Sequence, residues 1–173
     1  MWADGLGNPK QTSLPRCQVV KLAQLVAAIN ASEGQPEDAP LALWVDTLCC
    51  PIDIEYKLIA LQRIADVYRN AAHVLVLDSA LTQFEAEGRH PAELLLRVFA
   101  CSPWTRRLWT LQEAALAKNL YIQFKDKAVS TMTLIVKLYE LSIKDVRYLC
   151  IWQDVVNEVC SDSLWKEDIL TLR

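Results

Sequence analysis

Two tryptophans, two arginines and one glutamate crowd into PWTRRLWTLQEAALA, residues 103–117, a stretch otherwise composed like an ordinary helix. On a helix starting near Pro103, Trp109 and Glu113 lie four residues apart on one face, and Arg106 lies three before Trp109. An indole beside a carboxylate raises its pKa by desolvation, whereas a guanidinium lowers it. Two readings follow for Glu113. It is either the partner of Arg106 in a half-buried ion pair flanked by core tryptophans, or a carboxylate held for chemistry. Leu108, Leu111 and Ala115 cover the opposite, core-facing stripe.

Two further carboxylates fall where an open α/β sheet binds ligands, at the carboxyl ends of strands. Asp46 sits inside the apolar run LALWVDTLCC and Asp78 ends VLVLD. Asp78 reads as a turn or helix cap, a routine use of a short acidic side chain. Asp46, nearer the middle of its run, needs a specific partner if it is buried. A nucleophilic pair of Cys49 or Cys50 with His73 has no support in spacing. The six cysteines form no C-x-x-C, the two histidines are far apart, and no metal-ligand set is expected. The cysteines read as reduced, buried small hydrophobes. GLGNPK lacks the third glycine of a dinucleotide fingerprint, which argues against a Rossmann dehydrogenase.

The elements that must position these groups alternate. SLPRCQVVKLAQLVAAIN places Val19, Leu22, Leu25, Val26 and Ile29 on one helical face, with Ser13 available as a cap. LALWVDTLCC then reads as a strand buried on both faces. EYKLIALQRIADVYRNAA is a second helix with Leu58, Leu61, Ile64, Ala65 and Tyr68 inward. HVLVLD is a second strand, AELLLRVFA a helix, residues 103–117 another helix, and LYIQF a third strand. Two helices are expected in 131–173. Alternation of this kind specifies an α/β layer architecture with a parallel sheet. The first helix has no strand before it, so the chain is expected to lack an N-terminal strand.

Bulk properties narrow the partners. A chain of 173 residues with 53% hydrophobic content can bury a core. A net charge of -3 and no basic run longer than Arg106–Arg107 argue against nucleic acid. MWADGLGNPK is not a signal peptide, and no apolar run reaches membrane-span length. A cytoplasmic protein is expected.

Three blocks carry a family resemblance: LWVDTLCCPID, ALQRIADVYRNAAHVLVLDSAL and SPWTRRLWTLQEAALAKNLYIQF. In order, spacing and chemistry they resemble the second and third blocks of the fungal heterokaryon incompatibility (HET) domain, in the version found in mushroom-forming fungi. WADGLGNP resembles the end of that domain's first block, so the resemblance spans about residues 2–130. Cys50 and Pro51 depart from the family's usual Ile-Asn-Gln after DALC. The resemblance implies a flavodoxin-like fold related to Toll/interleukin receptor (TIR) domains: a parallel sheet flanked by helices, without its first strand. It implies an N-terminally incomplete HET domain over 1–130, with 131–173 a helical extension packing on the same domain. It implies signalling in fungal non-self recognition and programmed cell death, through protein partners or self-association.

Some TIR domains cleave NAD with a glutamate four residues after a tryptophan, a spacing that Trp109 and Glu113 reproduce. That alternative makes Glu113 catalytic, places Asp4, Asp46, Arg106 and Trp109 around the ligand, and makes NAD a substrate rather than a resident cofactor. A third reading is a degenerate, inactive fragment.

Overall fold

A computed structural model describes residues 13–36, 42–145, 148, 150, 151 and 153. The chain divides into two compact units, Met1–Val67 and Tyr68–Arg173.

In the first unit, α1 (Arg16–Ser32) starts from Pro15, whose fixed φ suits a helix entrance, rather than from Ser13. Leu22 and Ile29 are its buried residues, while Val19 is exposed. It ends in a left-handed Gly34, φ 72°, with the Gln35 N–H returning to the Asn30 carbonyl at 2.9 Å. Over residues 42–50 the apolar run is not a strand. Residues 42–45 pair with no strand, and Asp46–Cys49 forms one short helix, α2. Asp46 at its amino end suits the helix dipole, and Pro51 forces Cys50 into extended geometry, ψ 121°. An apolar run of this length does not distinguish a strand from a helical turn.

Asp53 then caps α3 (Ile54–Gln62), accepting from the Glu55 N–H at 3.0 Å. A break at Arg63 separates α3 from α4 (Ile64–Asn70), where one continuous helix was expected. The inward placement of Leu58 and Leu61 is also overturned: they are 55% and 44% exposed. Leu58→Ala should therefore cost less than about 0.5 kcal/mol in thermal unfolding, far below the cost at a filled core site.

The second unit is built on a three-stranded sheet, β1 (Val74–Val76), β2 (Leu120–Gln123) and β3 (Ala128–Ser130), in that spatial order. β1 and β2 are parallel, with Val74 opposite Leu120 and Val76 opposite Ile122. β2 and β3 are antiparallel, with Ile122 opposite Val129. The class is thus mixed α/β, and the sheet is mixed rather than wholly parallel. β2 lies in the middle and all four of its residues are buried, as a doubly covered strand requires.

The parallel pair needs a long crossover. It carries α5 (Pro91–Leu96), a π turn (Arg97–Cys101), a 3-10 turn (Trp104–Arg106) and α6 (Leu108–Leu116). α7 (Thr131–Lys144) packs on β2, β3 and α5, burying Thr131, Leu134, Ile135, Leu138 and Ser142 at helical spacing. Leu81, Leu95, Ile122, Phe124, Ile135 and Leu138 fill the centre of the core. Most of the second expected C-terminal helix, with Val155, Val156, Val159 and Cys160, lies outside the described residues, as does the Trp152 side chain.

The loop between β2 and β3 clasps the segment after β1. Both Asp126 carboxylate oxygens accept backbone N–H groups, from Ala86 at 2.7 Å and Glu87 at 2.8 Å. Lys125 pairs with Glu85 at 2.6 Å, and Lys127 pairs with Glu87. Partial desolvation pushes Asp126 up, but the Ala86 and Glu87 N–H groups and nearby Lys127 outweigh it and hold it below the usual range. Asp126→Ala should cost about 1 kcal/mol, the low end for a charged acceptor because the site faces water. Because the native pKa is the lower one, the contribution is complete above the ordinary aspartate range and lost as pH falls through the native value. Urea midpoints of the two proteins at neutral and acid pH check this.

Candidate functional site

The carboxyl end of β1 leads in two residues to Asp78, which is 6% exposed. It caps the following turn as its type suggests, accepting from Ala80 N–H at 2.8 Å and Leu81 N–H at 3.4 Å. Its second oxygen reaches across the crossover, accepting from the Ser102 hydroxyl at 2.6 Å and the Trp104 N–H at 3.0 Å. Burial pushes the Asp78 carboxyl up. The Ser102 hydroxyl and the N–H groups of Trp104, Ala80 and Leu81 together outweigh it, so its pKa sits below the usual value.

Trp104 is the next link. Its indole Nε1–H donates to Glu113 Oε2 at 2.9 Å, and its carbonyl accepts from the Thr110 hydroxyl at 2.6 Å. Both partners lie on α6, so one residue joins the strand end to the helix at two points. The Thr105 hydroxyl closes the turn by donating to the Ser102 carbonyl at 2.9 Å. Ser102 is fully buried, while Trp104 and Glu113 are half-buried.

This arrangement corrects the helical geometry expected around Glu113. Residues 103–117 are not one helix: a 3-10 turn ends at Arg106, Arg107 is extended, ψ 132°, and α6 begins at Leu108. Arg106 is therefore off the helix that carries Glu113. It is exposed and donates to the Ala100 carbonyl at 3.0 Å, and no ion pair joins it to Glu113 among the described residues. An indole donates to the acid from Trp104, nine residues earlier. The side chain of Trp109 lies outside the described part of the structure, and so does Asp4.

Asp46 is exposed in the first unit and accepts from its neighbour Thr47, from N–H at 2.7 Å and from the hydroxyl at 3.3 Å. The buried partner expected of it is not needed, because the strand that would have buried it is absent. The expected burial of the cysteines fails too: Cys17, Cys101 and Cys150 are exposed and Cys49 and Cys50 half-buried, all as free thiols. Cys160 lies outside the described residues. Among the described residues no three His, Cys, Asp or Glu side chains gather as a metal-ligand set. No helix among them is long and apolar enough to cross a membrane.

Comparison with protein-family models, with curated proteins and with solved structures finds no match to this chain.

Sequence reasoning missed Ser102 and Trp104 as partners of Asp78. The bonds span 24 and 26 residues, across an irregular crossover that no periodicity describes. The one available signal was the Ser-Pro-Trp opening of a block already rich in charge and aromatics.

Chemically, the group offers a carboxylate that accepts one indole N–H, from a residue whose main-chain N–H is held by a buried anion. Such an arrangement suits two tasks: locking a helix to a strand end, or presenting a carboxylate with little reorganisation.

Proposed function

We propose that the chain is a HET-type signalling module of fungal non-self recognition and regulated cell death, acting by protein association in the cytoplasm. The order and chemistry of the three sequence blocks support the family. A flavodoxin-like, TIR-related arrangement belongs to the same proposal, supported by the parallel β1–β2 pair and the helical crossover between them. The observation that carries the signalling reading is the Trp104–Glu113 bond. The acid employs its carboxylate inside the fold, joining the crossover to α6, as a structural residue would.

The same bond favours one second reading. Trp104 and Glu113 are half-buried, and the turn that carries Trp104 is tied to the carboxyl end of a parallel strand, where α/β sheets bind ligands. On that reading the chain cleaves NAD, and Glu113 stabilises the positive charge developing on the ribose. The carbon–nitrogen bond breaks with its electron pair leaving on nicotinamide, and water then attacks the sugar.

Clustering the chain in fungal hyphae through an inducible dimeriser separates the readings. Signalling by association predicts loss of viability with cellular NAD unchanged, and the same loss in a folded Glu113→Gln variant. NAD cleavage predicts a fall in NAD and nicotinamide release that Glu113→Gln abolishes. Hyphae that survive clustering with NAD intact contradict both.

A further inference from the structure

We infer that Asp78 is a positioning residue for Glu113, acting through Ser102 and the main chain of Trp104. Its consequence for catalysis rests on the NAD-cleaving reading; its structural content does not.

Asp78 Oδ2 takes the Ser102 hydroxyl at 2.6 Å and the Trp104 N–H at 3.0 Å, and that same N–H lies 3.1 Å from Ser102 Oγ. Two acceptors, Asp78 Oδ2 and Ser102 Oγ, therefore hold the backbone N–H of the residue from which the indole projects. With the Trp104 carbonyl also held by Thr110 at 2.6 Å, the indole ring has a determined origin. Its Nε1–H then meets Glu113 at 2.9 Å. The Ala80 and Leu81 N–H groups hold Asp78 itself from the other side, so the chain of contacts is anchored at its buried end. Hydrogen-bonded chains of this kind transmit orientation, because each link is satisfied in only one arrangement. A carboxylate that merely capped its own turn would need neither Ser102 nor Trp104.

The test uses the full chain labelled with 15N-tryptophan. The Trp104 indole resonance is identified by its loss in Trp104→Phe, and its position without the hydrogen bond is defined by Glu113→Ala, since a glutamine amide oxygen would still accept the indole proton. In Asp78→Asn the resonance should move at least halfway to the Glu113→Ala position. Ser102→Ala, which removes one link, should move it part of the way. Leu134→Ala, a core truncation on α7 that removes none of these hydrogen bonds, should destabilise the protein yet leave the resonance in place, which a merely structural role for Asp78 would also predict of Asp78→Asn. An unmoved resonance in folded Asp78→Asn overturns the inference. If Asp78→Asn does not fold, Ser102→Ala decides alone, and an unmoved resonance there overturns it. Nicotinamide release is read on the same samples. Where wild type turns over, Ser102→Ala should lower kcat about tenfold with KM nearly unchanged. Where it does not, the NAD reading fails and the spectra still decide the positioning role.

Discussion

Asp78→Ala should lower the stability of the chain by about 3–5 kcal/mol, because it strips a buried anion from four donors at once. Ser102 can turn its hydroxyl, but the N–H groups of Ala80 and Leu81 are fixed and lose this acceptor, and the Trp104 N–H keeps only the Ser102 oxygen at 3.1 Å. For a chain of this size the melting temperature should fall by roughly 10 °C. The effect carries a pH signature. The native pKa of Asp78 lies below the ordinary value, since its hydrogen bonds outweigh the upward push of burial. The carboxylate's contribution is therefore complete above the ordinary aspartate range and lost as pH falls through the lower native value. Urea denaturation should show a wide gap between wild type and variant near neutrality, narrowing in strong acid. A gap that widens in acid would reverse the sign of the account.

Leu138→Ala should cost about 2–5 kcal/mol, the range for a filled core site that cannot collapse. Leu138 is fully buried, like Ile135 on the same face of α7, and that helix covers β2, β3 and α5. The helix that loses these contacts packs on three elements, in a core of close-packed leucine, isoleucine and phenylalanine side chains. The contrast with Leu58→Ala is the useful measure. Both are leucines on amphipathic helices, yet one is 0% and the other 55% exposed. The urea midpoint should drop sharply for the first and hardly move for the second.

How far the fold could be read depended on what each segment had to pair with. VLV and LYIQ were legible as strands because short apolar, β-branched runs suit a sheet buried on both faces, and each found the other. LALWVDTLCC has the same composition, yet residues 46–49 coil into a turn of helix between an extended Val45 and Pro51. Hydrophobicity marks burial potential and says nothing about a ladder partner. β3 was invisible for the opposite reason: three residues, AVS, are too few to show alternation. α7 was legible because its apolar residues keep helical spacing over fourteen residues.

The site was legible in its members more than in its wiring. Glu113 beside an indole was expected from Trp109, one helical turn away on α6; the indole that donates to it is that of Trp104, from the turn before the break at Arg107, while the Trp109 side chain lies outside the described part. The same break moves Arg106 off the helix and onto the Ala100 carbonyl. Asp78 was readable as a cap, since that role is local. Its hold on Ser102 and Trp104 is set by tertiary placement of the crossover, which local patterning does not encode.

The indole proton of Trp104 reports most directly on whether Glu113 is held as described. In folded Glu113→Ala its 15N–1H resonance should leave the wild-type position and its proton should exchange faster with solvent, because the acceptor at 2.9 Å is gone. A resonance with the same position and exchange rate in wild type and in Glu113→Ala contradicts the account.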